Sequence, residues 1–164
     1  MNIALKTNQY SIHNTYLLEK KNNVIVEGTF SKILFSNQFF TMNGVYFYLS
    51  LEELHRLENK SFDIYRIQLV KDLFLIQCYT GLAFSDLAGL NGSNVTTGID
   101  GNQWIIKNRL KTDVRSAIPL LPKALELIVK YNPEYKVAID KQLLPMYNIQ
   151  RFNAYLKEIA DLCG

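Results

Sequence analysis

Residues 78–90 read Cys78-Tyr-Thr-Gly-Leu-Ala-Phe-Ser-Asp-Leu-Ala-Gly-Leu90, an apolar run broken first by Thr80-Gly81 and then by Ser85-Asp86. A glycine placed just after a long apolar-periodic stretch ends a helix by taking the left-handed conformation that other residues resist. The stretch therefore predicts two helices joined by a tight turn, with Ser85 or Asp86 capping the second, short helix to about Leu90. At the tip of the turn sits Ala83, whose methyl group offers no chemistry.

Upstream, Ile64, Ile67, Val70, Phe74 and Cys78 keep helical spacing, and Leu69, Leu73, Leu75 and Ile76 add apolar residues around the other side. Such a helix belongs in the centre of a domain, with Asp63 as its candidate cap. Before it, Ser50-Leu-Glu-Glu53 fits a capping box and starts a helix to about Asn59. Downstream, QWIIKNR (103–109) and RSAIPL (115–120) read as strands of a hairpin around LKTDV. Leu121-Pro122 opens a helix to about Tyr131, with proline where a missing N–H costs nothing. Ile149, Phe152, Leu156, Ile159 and Ala160 define a last amphipathic helix. The fold class expected is mostly α with a small antiparallel sheet, α+β.

The first part of the chain has a different texture. Residues 1–23 are polar and unpatterned, whereas VIVEGTF, KILF and FFTMNGVYFYL are rich in strand formers, with Asn43-Gly44 as a hairpin signal. Residues 1–45 are expected to be an arm, a linker or the end of a preceding domain, partly β, and 46–164 a separate domain.

Composition narrows the chemistry. With 164 residues, 48% hydrophobic and 20% charged, the chain is globular material with enough length for a core. The two cysteines, Cys78 and Cys163, suggest neither a disulfide framework nor a metal site, and point to a reduced, cytoplasmic setting. No signal peptide or membrane span is expected. His13 and His55 are the only histidines and lie in different contexts, so no metal, catalytic triad or small-molecule cofactor is expected. GSNVTTGIDG lacks the ending of a phosphate loop. What remains is a basic cluster, Lys107, Arg109, Lys111 and Arg115, on a hairpin. It suits phosphate contacts, and equally a solvated edge whose charges prevent strand association. The net charge of +3 is compatible with a polyanionic partner and does not demand one.

Three motifs in order are more specific. YLSLEELHRLEN (48–59), LIQCYTGLAFSDLAGL (75–90) and RLKTDVRSAIPLLPKALELI (109–128) resemble the first half of the catalytic domain of tyrosine recombinases, the phage integrase family. That resemblance covers roughly residues 46–164. It implies DNA cleavage and rejoining through a phosphotyrosyl intermediate, with double-stranded DNA and other recombinase protomers as partners and no cofactor. Lys111 falls on the hairpin lysine that protonates the leaving 5′ oxygen, and Asp86 on the acidic residue that supports the loop. Ser85, Lys107, Arg109 and Arg115 become DNA contacts.

Two departures from the family pattern matter. Ala83 stands where most members carry their first catalytic arginine, and losing one such donor costs about 3–4 kcal/mol of transition-state stabilisation. Some recombinases of bacterial mobile elements also lack that arginine, which implies compensation; Lys71 and Arg66 are the candidate cations, against the plainer reading of a solvated helix face. Further, the sequence contains no His-x-x-Arg box followed by a tyrosine. Neither Tyr46 and Tyr48 in their strand nor Tyr79 in its helix is placed as the nucleophile. The expectation is a truncated catalytic domain, inactive alone, with apolar surface exposed on the last helix beside Ile159 and Leu162. A different class of function, a non-catalytic regulator derived from a recombinase and acting through protein contacts, also fits Ala83. A helical interaction domain unrelated to DNA leaves the motif series unexplained.

Overall fold

A computed structural model describes residues 49–136 and 139–163. The strands expected within residues 24–48, the Asn43-Gly44 turn and His13 lie outside the described residues. Among those described are five helices, one 3-10 turn and three strands. Helix α1 is Leu51–Asn59, α2 Tyr65–Thr80, α3 Phe84–Ala88, α4 Pro122–Tyr131 and α5 Ile149–Cys163; the strands are β1 Val95–Thr97, β2 Gln103–Asn108 and β3 Arg115–Pro119. The chain is α+β.

Helix α1 starts as its sequence dictates. Glu53 N–H donates to Ser50 Oγ at 3.2 Å and Ser50 N–H donates to Glu53 Oε2 at 2.9 Å, the reciprocal pair of a capping box. Helix α2 differs from expectation at its start: the N-cap is Ile64, without a side-chain cap, and not Asp63. Gln68 instead reaches back, its Oε1 accepting from Phe62 N–H at 2.9 Å and so holding the entering chain. The rest of α2 is the centre of the molecule. Ile67, Leu69, Val70, Leu73, Leu75, Ile76 and Cys78 are all buried, on every side of the helix. Helices α4 and α5 both pack on it.

Among the described strands the sheet order is β1-β2-β3, antiparallel throughout. The expected hairpin is β2–β3, in register Asn108↔Arg115 through Trp104↔Pro119. Strand β1 was not foreseen; it pairs Val95↔Ile105 to Thr97↔Gln103. Ile105 buries the inner face of β2, and Leu120 carries the chain back into the core before Pro122 opens α4.

The segment between α4 and α5 is irregular but anchored. Leu143 and Leu144 are buried, Leu143 N–H donates to Leu90 O at 2.8 Å, and Asn91 bridges Gln142. It thus backs the end of α3 and the chain that leaves it. Helix α5 buries Phe152, Leu156, Ile159 and Ala160 as its pattern requires. Ile159 is therefore core, contrary to the expectation that it would be exposed; Leu162 is the half-exposed apolar residue of that end. Among the described residues no helix is long and apolar enough to cross a membrane.

Candidate nucleic-acid interface

The turn after α2 is held by backbone-directed bonds. Gly81 is left-handed at φ 65°, and its N–H donates to Gln77 O at 2.8 Å. Thr80 Oγ1 donates to Ile76 O at 2.6 Å, while Gln77 Nε2 donates to Leu82 O at 3.2 Å. These satisfy the helix-end carbonyls and aim Leu82 into the core. Ala83 is the N-cap of α3, and neither Ser85 nor Asp86 caps that helix. Only its backbone acts there: Ala83 O accepts from Leu87 N–H at 2.9 Å. Ala83 and Ser85 are exposed.

Asp86, freed from capping, crosses to the hairpin. Its side chain is 4% exposed, and Oδ1 accepts from Leu110 N–H at 2.8 Å. A second link lies at the other end of α3, where Lys107 Nζ donates to Gly89 O at 2.6 Å. A Cβ at position 89 would stand 3.1 Å from that ammonium, so glycine there leaves the lysine room. Helix α3, with the glycine that follows it, is thereby joined to the hairpin at two points.

Within the hairpin, the loop after β2 closes through Arg109 N–H to Val114 O at 2.9 Å and Asp113 N–H to Arg109 O at 2.8 Å. Asp113 takes φ 53°, a left-handed position that Asp tolerates, and its Oδ1 accepts from Asn108 Nδ2 at 3.1 Å. The four cations divide into two kinds. Lys107 and Arg109 are half-buried, the first on Gly89 O and the second donating from Nε to Ser116 Oγ at 3.1 Å. Lys111 and Arg115 are exposed. Lys107 thus braces the hairpin against the end of α3, while Lys111 and Arg115 stand in solvent.

The candidate compensating cations are not brought to the turn. Lys71 lies ten residues before Gly81 on α2, about 15 Å along the helix axis. It is 5% exposed, so it is no solvated face; Nζ donates to Lys60 O at 2.8 Å and lies 3.4 Å from Asp72 Oδ1. Arg66, a turn further back, pairs with Glu158 at 3.0 Å and lies over the Tyr155 ring.

Sequence reasoning missed the best-connected polar group, Asp72. Its carboxylate accepts from Lys130 Nζ at 2.6 Å, Tyr131 OH at 2.8 Å and Gln68 Nε2 at 2.9 Å, which ties α4 to α2. Burial alone would raise its pKa, but those hydrogen bonds and the charge of Lys71 outweigh it and hold the carboxyl below the ordinary value. The same burial, with Asp72 beside it, pushes the Tyr131 phenol up. Cys78 is pushed to about 12 by burial, which leaves it an inert thiol. Among the described residues no group of His, Cys, Asp and Glu is placed to hold a metal ion.

Compared with known proteins, the chain matches no family model, no curated protein and no solved structure.

Proposed function

We propose that residues 46–164 form part of the catalytic domain of a tyrosine recombinase, and that the turn 81–86 and the hairpin 107–115 are its DNA-facing surface. The observation that carries this reading is the pair of links, Asp86 to Leu110 N–H and Lys107 to Gly89 O, between two segments that the family resemblance independently makes neighbours. In this reading Lys111, exposed at the hairpin tip, is the proton donor to the leaving oxygen, and Arg115 and Ser85 meet phosphates. Arg109, held on Ser116, presents its guanidinium from the strand beside them. Asp86 positions the hairpin and does not touch DNA.

Ala83 gives the turn no charged side chain for the scissile phosphate, and the sequence contains no His-x-x-Arg box. The role assigned to this chain is therefore to hold DNA, with strand cleavage depending on residues beyond those it contains, in the same polypeptide or in another recombinase protomer.

Salt-dependent binding of duplex DNA tests this. Fluorescence anisotropy with a labelled duplex, repeated over a range of salt concentrations, should give a linear fall of log affinity with log salt. Lys111→Ala and Arg115→Ala should each shallow the slope by about one. Binding indifferent to salt, or unchanged by both substitutions, would contradict the reading.

A further inference from the structure

The hairpin tip carries something its charge does not explain. Leu110 is 72% exposed and Val114 59%, two large aliphatic side chains in water on either side of Lys111-Thr112-Asp113. Isolated exposed aliphatics are ordinary on protein surfaces. These two, however, sit on a loop that is tightly held. Leu110 N–H is bonded to a buried carboxylate, Arg109 N–H closes the loop on Val114 O, and Asn108 fastens Asp113. The position of the loop is set through the backbone of Leu110, so its side chain is not needed to hold the loop in place.

Around the two aliphatics the charge has one predominant sign. Lys111 and Arg115 are exposed beside them, and Lys107 and Arg109 stand behind, against one carboxylate in the stretch 107–115, that of Asp113. A rigid apolar tip ringed by cations complements a surface that is polyanionic outside and apolar between its charges. The phosphate rails of nucleic acid, with sugar and base faces between them, have that chemistry.

Resting on the recombinase reading above, we propose that Leu110 and Val114 form an apolar wedge that contacts sugar or base faces of the bound duplex and supplies a salt-independent part of its affinity. The cations bring the hairpin to the phosphates, and the wedge makes the contact that persists when salt has screened them.

The two parts separate in one experiment on the full chain. Anisotropy against salt is measured with a labelled duplex for the unsubstituted protein, for Leu110→Ser/Val114→Ser, for Leu110→Met and for Lys111→Ala. The double substitution should lower the affinity extrapolated to 1 M salt by about tenfold while leaving the slope unchanged. Leu110→Met should retain the affinity, and Lys111→Ala should change the slope. Circular dichroism should show the double variant folded, since both side chains are exposed.

A double variant that follows the unsubstituted line at every salt concentration overturns the wedge while leaving the DNA-binding surface standing. Failure of the unsubstituted chain to bind duplex overturns both. Self-association of the unsubstituted protein without DNA, lost in the double variant, overturns the wedge in favour of a protein contact.

Discussion

Asp86 shows how one side chain ties together two segments distant in sequence. It occupies the third position of a five-residue helix, where an acidic residue ordinarily closes a capping box with the residue before the helix. No capping box forms here: Ala83 has no side-chain oxygen to accept from Asp86 N–H, and the Asp86 carboxylate accepts from Leu110 N–H instead. Charged-group hydrogen bonds of this kind contribute about 1.5–3 kcal/mol. Asp86→Ala should lower stability to urea by about that amount and weaken duplex binding with it, because the tip loses its anchor. Asp86→Asn, whose amide oxygen still accepts, should fall between. Equal loss for both substitutions would mean that the charge, and not the acceptor, holds the hairpin. The sequence places Asp86 at the turn, but its partner lies 24 residues on, at a distance that no periodicity reports. Lys107 is similar: alternation puts it on a strand face, and only the fold shows that the face meets Gly89 O.

At the scale of elements, legibility follows how local the cause is. The capping box of α1, the left-handed Gly81 and the Pro122 start of α4 were all readable, since each is settled by neighbours within a turn of helix. Strand β1 was not. Val95–Thr97 is three residues long in a Gly- and Asn-rich stretch, and it exists because β2 offers it an edge. The Asp63 cap failed for a similar reason: the Gln68 side chain secures the entering chain from inside the helix, and a cap at Asp63 is not used.

The junction of α2 and α4 is the third case, where Asp72 accepts from Lys130 and Tyr131 across 58 and 59 residues. A carboxyl held below its unfolded pKa contributes stability above that unfolded value, ordinarily about 3.9, and loses it as pH falls through the folded value. The chain should therefore lose stability from about pH 4 downward, as followed by circular dichroism. Asp72→Asn should flatten that acid limb and, at neutral pH, cost about 2 kcal/mol by removing the charge that Lys71 and Lys130 face. An unchanged acid limb in Asp72→Asn would remove Asp72 as its source.

For the whole molecule, the arrangement divides the labour between two ends of α2. Toward its start and middle, Arg66 is paired with Glu158 on α5 and Lys71 is buried against Lys60 O and Asp72, cations used for holding helices together. At its far end the turn, α3 and the hairpin form a surface with Lys111, Arg115, Leu110 and Val114 turned to solvent. Net charge alone, +3 over 164 residues, did not disclose this separation, because it averages over both ends.

Amide chemical-shift mapping on titration with a short duplex shows whether this end meets DNA. Perturbations should concentrate in residues 81–86 and 107–115, with the Arg66, Lys71 and Glu158 region undisturbed. Perturbations centred instead on the exposed faces of α1 or α5, or none at duplex concentrations that saturate an anisotropy signal, would contradict it.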